Sequence, residues 1–478
     1  MKRVNPRLLS GMLPALALGA CSLAPRYVQP ELPVPASWPA GDAYLAQSEA
    51  ALPAVSYKDV FRDPRLQALV EQALANNRDL RVAAANVAAA RAQVRVTRAN
   101  QFPAVAVSGS ATDTETGGGF GQNGMSYALQ GGISSFELDL FGKLANATRS
   151  DRDTALATEA AGRTVRLGLV ADLALAWATY AADNDLLRTA QATATNARDS
   201  VRLSSARLKG GVAARTELRQ AEQVLETANG DVAAQTAALA QDVNAIRLLV
   251  GAEFDRALLP AGIDEVNAGL AEVPAGTSTQ VLLRRPDVVQ AEYQLRAANA
   301  DIGVARAQLF PSISLSALIG FASQSLSGLF DAASRTTTLG ADGSWSVFNA
   351  GGRKANVEVT RAQRDAALAT YEKAIQTAFQ ETADALANQG TLAERLRAAK
   401  AFTVAAQDSA TLTEATYRRG IVGSLDNLDA QRSLYSARQA EIAVRLALAS
   451  NRITLYRVLG GDQATATPAP AAAGPAQP

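Results

Sequence analysis

The chain has 478 residues, with 46 Lys plus Arg against 45 Asp plus Glu, no His and one Cys. A net charge of +1 carries no electrostatic footprint for nucleic acid. Zero His and a lone Cys remove the usual zinc and copper sites, Ser-His-Asp and Cys-His catalysis, and any intramolecular disulfide. Ala makes up roughly a fifth of the residues, a helix-rich bias, while aromatics reach only 5%. No uninterrupted apolar run of about 18 to 20 residues exists, which excludes a multi-span helical membrane protein. An ordinary enzyme is a poor fit, and nothing points to a cofactor or a metal.

The N-terminus reads as an address. Lys2, Arg3 and Arg7 precede an apolar stretch from Leu8 to Ala20 that contains Gly11 and Pro14 and is too short to span a bilayer. It ends in Leu18-Gly19-Ala20-Cys21, which resembles the lipobox of bacterial lipoproteins. On that reading residues 1–20 are a signal peptide and the Cys21 thiol accepts a diacylglyceryl group. The other reading is a plain signal peptide with an incidental Cys. Ser22 rather than Asp after the Cys matches the outer-membrane sorting pattern, and several acyl chains make a firm anchor.

Residues 21–61 carry Pro25, Pro30, Pro33, Pro35, Pro39 and Pro53 and are expected to form an extended strap without regular helix. Residues 461–478 form a Thr/Ala/Pro tail expected to be disordered.

Between these ends the chain is a tandem duplication with an offset of about 208 residues. Arg98, Phe102-Pro103 and Ser108 fall on Arg306, Phe310-Pro311 and Ser316. Further on, Asp199-Ser200, Gly211 and Gly251 fall on Asp408-Ser409, Gly420 and Gly460. The repeats are placed at 62–251 and 278–460, joined by a connector at 252–277.

Each repeat has one order of elements. A first helix is predicted over 64–100 and 278–308, stopped at Phe-Pro because the residue before Pro avoids the helical region. Two strands follow, at about 104–113 and 126–140, then about 312–322 and 336–348. A very long helix is predicted over 144–208 and 353–417, reaching roughly 95 Å at 1.5 Å per residue. Gly210-Gly211 and Gly420 break these helices, and return helices run over 216–250 and 424–459.

The strands alternate. Ile313, Leu315, Ala317, Ile319 and Phe321 share one phase, and so do Leu339, Ala341, Gly343, Trp345 and Val347. Val105 and Val107 do so in the first strand. In the second, Tyr127, Leu129 and Ile133 take one phase and Phe136, Leu138 and Leu140 the other, which predicts a bulge near Ser134-Ser135. One apolar and one small polar face suits a transmembrane strand around a wet lumen, and alternation alone fits a half-buried soluble sheet equally. Four strands cannot close a barrel and open edges are forbidden in lipid, so a membrane reading requires copies to join. Three copies supply twelve strands and twelve long helical stretches.

Several segments resemble the TolC-type outer-membrane factors, most closely the NodT-like lipoprotein branch. They are Phe136-Glu137-Leu138-Asp139-Leu140-Phe141-Gly142-Lys143, Leu283-Arg284-Arg285-Pro286-Asp287-Val288, the run Tyr371 to Glu381, and Tyr417-Arg418-Arg419-Gly420 with Leu428-Asp429-Ala430-Gln431. The resemblance spans about 60–461. It implies an α plus membrane β-barrel fold: as a homotrimer, a twelve-stranded outer-membrane β-barrel continued by a long periplasmic α-helical barrel, with a small mixed equatorial region.

By the same resemblance the hairpins near Lys209–Thr216 and Tyr417–Asp426 lie at the periplasmic tip. There Gly210, Gly211, Arg418, Arg419 and Gly420 would meet a periplasmic adaptor (membrane fusion) protein. A tunnel constriction is implied at Leu425 and Asp429, whose i, i+4 spacing puts both on one helix face. Their first-repeat counterparts are Thr216 and Gln220. The bland alternatives are a solvated carboxylate, a packed leucine, and Arg418 and Arg419 as ordinary cations near a helix C-terminus.

Gly119-Phe120-Gly121-Gln122-Asn123-Gly124 has the form of a dinucleotide fingerprint, but it lies between two strands without the helix that would hold a pyrophosphate. The implied function is passive. The chain would be the exit duct of a tripartite efflux system, in contact with outer-membrane lipid and energised by an inner-membrane, proton-driven transporter. The alternatives are the outlet of a type I protein-secretion system and a lipid-anchored helical structural protein.

Overall fold

The computed structural model describes residues 22–41, 43–44, 56–114, 124–272 and 278–461. Cys21, the signal segment 1–20, residues 119–123 of the glycine-rich loop and the tail beyond Gly461 lie outside the described residues. The chain divides into two compact units, and each draws segments from both repeats. One comprises residues up to Glu31, Ala85–Ala160 and Val289–Lys373, and the other Leu32–Ala84, Ala161–Val288 and Ala374 onward.

The first unit contains the sheet. Strands β1 (Ala106–Thr114), β2 (Gly124–Glu137), β3 (Ser312–Ser323) and β4 (Arg335–Ser344) pair antiparallel in that order. The register places Val107 opposite Gly131, which faces Ile319, which in turn faces Thr337. One face thus carries Val107, Leu129, Ile319, Phe321 and Leu339, and the other Ser108, Ser110, Gln130, Thr336 and Thr338. A register shift between Ile133 and Phe136 sets Phe136 opposite Leu315, returning it to the apolar face.

Some strand ends differ from the alternation pattern. β1 starts at Ala106, so Val105 precedes it, and β2 ends at Glu137, short of Leu140. β4 stops at Ser344, so Trp345 and Val347 lie beyond it. The indole of Trp345 donates to the Leu309 carbonyl (3.1 Å), an anchor that replaces the ladder.

The strap lies along α7 (Pro286–Ala307) in the opposite chain direction. Arg306 donates to the Leu23 carbonyl (3.0 Å), Asn299 to the Pro25 carbonyl (2.8 Å), and the Tyr27 hydroxyl to Glu292 (3.2 Å). Ser22 donates to Asn146 (2.9 Å) near the start of α4 (Lys143–Lys209). A glycine inside a helix costs about 1 kcal/mol relative to Ala, and Gly303 shows why it is tolerated. A Cβ there would sit 2.6 Å from Asn146 Nδ2 and 2.8 Å from the Ala24 Cβ.

Two helix expectations are corrected. The segment 64–100 is not one helix but α2 (Pro64–Asn76) and α3 (Arg78–Ala99). Asn77 breaks it, extended at ψ 136, with its side-chain oxygen accepting from the Asp79 and Leu80 amides and its nitrogen donating to the Leu249 carbonyl. An asparagine satisfied this way prefers a cap to a helix interior. Likewise 278–308 opens with a 3₁₀ turn, Thr279–Arg284, before α7 begins at Pro286. The strap region also ends in a single helical turn, α1 (Tyr57–Val60). Ser56 and Asp59 cap it reciprocally, so the expectation of no regular helix fails there.

The second unit holds the helical hairpin ends and the knot that ties them. α5 (Arg215–Val250) returns from α4, and α9 (Ser424–Val458) returns from α8 (Gly352–Arg418). The connector forms a 3₁₀ turn, Arg256–Leu258, and α6 (Ile263–Gly269). Bridges pair Phe61 with Leu270 and Ser37 with Ser278. Phe61 packs edge-on against Tyr456 (centroids 5.1 Å apart), and buried Trp177 donates to the Leu258 carbonyl (2.9 Å). α4 contains a stretch long and apolar enough to cross a membrane, but half of it is buried within the protein, where Leu173, Ala174 and Trp177 form core.

Arg285 is the polar centre of this knot. It bonds Asp287 (2.7 Å), Glu381 on α8 (2.8 Å) and the Val458 carbonyl closing α9 (3.1 Å), with only 9% of its side chain exposed. Removing the guanidinium takes a donor from the Val458 carbonyl and a partner from two carboxylates that, at 39% and 42% exposed, can turn to water instead. Arg285→Ala is therefore expected to destabilise the protein by about 2 kcal/mol, read as a lowered thermal unfolding midpoint by circular dichroism. Arg285→Lys should recover only part of it, because an ammonium cannot serve a planar fork.

Candidate functional site: the hairpin tips

Both tips end their long helices in the same way. Gly211 (φ +71) and Gly420 (φ +74) adopt the left-handed conformation, where a Cβ is costly. The Val212 amide donates back to the Arg207 carbonyl and the Gly211 amide to that of Leu208. The Ile421 and Gly420 amides repeat this to Thr416 and Tyr417. These paired bonds satisfy the orphan carbonyls of a helix end.

The residue after such a glycine usually packs its apolar side chain onto the helix. Here Val212 and Ile421 instead stand 69% and 68% exposed. Arg418 pairs with Glu414 one turn back on its own helix. Arg419 is exposed, as are Gly210, Gly211 and Gly420.

Leu425 and Asp429 are both exposed on the first turns of α9, while Ser424, Asn427 and Leu428 are buried on its other side. Their first-repeat counterparts differ in chemistry and setting: Thr216 is exposed and Gln220 half-buried.

The structure also brings together residues that sequence reasoning did not pair. The Arg207 guanidinium stacks 4.9 Å from the ring centroid of buried Tyr417, joining α4 to α8. Leu428 packs with Ala197 and Val224, joining α9 to the first hairpin. The Tyr435 hydroxyl donates to Asp231 (2.7 Å), joining α9 to α5, and burial with the neighbouring carboxylate pushes the phenol pKa up. The only available signal was scarcity: a tyrosine in an Ala-rich helix is an anchor in search of a partner.

Farther along the first hairpin, Asp183 on α4 and Asp242 on α5 lie side by side. Burial, then the Asp183 charge, pushes Asp242 up to about 6, and burial raises Asp183 as well. Among the described residues no group of three Asp, Glu or Cys side chains is placed to hold a metal ion.

A strand pair followed by a long helical hairpin thus occurs twice in the chain, and the two strand pairs share one four-stranded sheet. The family model for outer membrane efflux proteins matches residues 69–252 and again 277–461. A toluene efflux pump outer membrane protein of Pseudomonas putida, TtgC, is 41% identical over 462 residues, 95% of each chain. The cation efflux system protein CusC of Escherichia coli is 36% identical over 448 residues, 94% of this chain and 97% of its own. A crystal structure of CusC superposes with a TM-score of 0.83, at 36% identity, over 92% of this chain and 100% of that one. The chain belongs to the outer membrane efflux protein family. It is an outer-membrane channel protein that extends into the periplasm.

The raised carboxyl has a consequence for stability. A folded-state pKa above the unfolded value means the folded protein holds the proton longer. Stability therefore falls as pH rises from about 4 through about 6, and the deficit persists above that. Asp242→Asn is expected to raise the unfolding midpoint at pH 7.5 and to change it little at pH 4.5, measured by thermal melts across that range.

Proposed function

We propose that the chain is the passive exit duct of a tripartite efflux system and works as a homotrimer. The observation that carries this reading is the sheet: one apolar face, one polar face, and two edges, β1 and β4, each paired on one side only. In hydrocarbon such edges must be met by other strands, and three copies close a twelve-stranded barrel with the polar face inward.

On this reading the hairpin tips are the periplasmic end. Gly210, Gly211, Arg418, Arg419 and Gly420 receive a periplasmic adaptor protein, and the exposed Val212 and Ile421 add apolar contact area. Energy enters through an inner-membrane, proton-driven transporter. Leu425 and Asp429 form the resting constriction, an apolar ring and a carboxylate ring under threefold symmetry, with a preference for cations. Cys21 carries the lipid anchor. The position of Ser22 beside Asn146 (2.9 Å) supports this, since it brings the chain to the strand end of α4.

The cargo is small toxic compounds. Relatives of similar identity are named for toluene and for cation efflux, which supports a duct whose cargo is chosen by its partners. It also favours small molecules over the protein cargo of a type I secretion outlet.

Purified protein in planar bilayers should give a small closed-state current, and Asp429→Ala should raise that current or the single-channel conductance severalfold. An unchanged current in the variant would remove Asp429 from the constriction, and a non-conducting monomer would end the duct reading. Cys21→Ala is expected to abolish acylation and leave the protein at its unprocessed size on gels, while an unaltered mass and fractionation would exclude lipidation.

A further inference from the structure

The strap does more than connect. With α4 and α7 it lines an open pocket of about 630 Å³ on the sheet-containing unit. Arg26 enters it from the strap, Arg149 and Arg152 from α4, and Arg296 from α7. Only Arg296 is committed, bonded to Glu292 (2.5 Å) and stacked on the rings of Tyr27 and Tyr293. Arg26, Arg149 and Arg152 are exposed and engage no carboxylate at ion-pair distance among the described residues. Asp153 is the one acid in the lining, and burial raises its pKa despite the nearby guanidinium groups.

Three unspent guanidinium groups around one pocket call for an anion with several acceptor oxygens, and Arg suits phosphate in particular. Beside the polar Ser22 and Asn299, the remaining lining has an apolar part, with Leu156, Pro25 and Ala300 next to the two tyrosine rings. A bare anion gains nothing from such a wall, whereas a glycerol backbone and the start of an acyl chain do.

Position favours the same class of ligand. Arg149 lies six residues past the start of α4, about 9 Å along the helix, and Arg296 about 16 Å before the end of α7. Both distances run from helix ends that five and four residues separate from β2 and β3. Strands of 9 to 14 residues span the hydrocarbon core, so the pocket opens just below the headgroup band, within reach of snorkelling arginines.

We propose that this strap pocket, through Arg26, Arg149 and Arg152, binds the phosphate of an anionic phospholipid headgroup from the periplasmic leaflet of the outer membrane. The site rests on the sheet lying in that membrane, and it holds the strap and the two helices together from the lipid side.

The test is native mass spectrometry of the full-length, detergent-extracted protein, offered phosphatidylglycerol, phosphatidylcholine of the same chains, or inorganic phosphate. The wild type should retain phosphatidylglycerol over phosphatidylcholine, and Arg149→Gln with Arg152→Gln should lower that retention about tenfold. Arg26→Gln, on the exposed strap, should give an intermediate loss, and it decides the matter if the double variant does not assemble. Equal retention of the two lipids, or full retention by the variants, overturns the proposal. Phosphate binding without any lipid preference overturns the lipid assignment. Single-channel conductance, measured in phosphatidylcholine bilayers, should be the same for wild type and variants, which separates failure of this site from failure of the duct reading.

Discussion

The structure depends on the unpaired backbone at the two sheet edges. β1 presents nine residues and β4 ten, each with a row of amides and carbonyls that no strand among the described residues meets. Water would satisfy those groups, but hydrocarbon cannot, at several kcal/mol for each one left open. Closure by further copies is thus a condition of entering the membrane rather than a later refinement. The bulge between Ile133 and Phe136 serves the same end. It keeps the apolar phase on one face along a strand that would otherwise turn its aromatic residue toward the polar side.

The helices answer a different demand. Buried positions along α4 are mostly alanine: Ala155, Ala157, Ala160, Ala174, Ala178, Ala181, Ala190, Ala194 and Ala197. Small side chains allow close, smooth packing but bury little area apiece, at about 25 cal/mol for each Å². The largest fully buried side chains of the second unit include Trp177 on α4 itself and, off that helix, Phe61, Ile246, Ile263 and Tyr456, of which Phe61 and Tyr456 pack together. Toward the tips the ties are smaller, among them the Arg207–Tyr417 stack, the Tyr435 hydroxyl on Asp231, Arg198 on Asn229 (3.3 Å), Arg438 on Gln407 and the cluster around Leu428. Segments with few buried contacts are those that open first, so rigidity and mobility are distributed along the same helices by side-chain size.

Much of this was legible in the sequence because it rests on periodicity. The long and return helices end within a residue or two of the expected positions, since the Gly210-Gly211 and Gly420 breaks have a local cause. The strand phases of Leu315 to Phe321 were likewise visible in alternation. What was not legible had non-local causes. Asn77 breaks a helix because Leu249, far along the chain, accepts its side chain, and Trp345 leaves the strand for the Leu309 carbonyl. Arg207 and Tyr417 meet across a separation close to the repeat offset itself, so neither carries a local signal. At the tip, the i, i+4 spacing of Leu425 and Asp429 was plain, but which face of α9 they share followed only from the burial of Asn427 and Leu428.

That buried face bears on why one hairpin and not both would form the constriction. Asn427 is 3% exposed. Leu428 beside it packs α9 on the first hairpin with Ala197, Val224 and Leu225. The first turns of α9 thus seat one face on the first hairpin and leave Leu425 and Asp429 exposed. α5 offers Thr216 and Gln220 at the equivalent places, with neither the apolar bulk nor the charge. If Leu425 and Asp429 form the proposed constriction, divergence of the two repeats has put its side chains on one hairpin only.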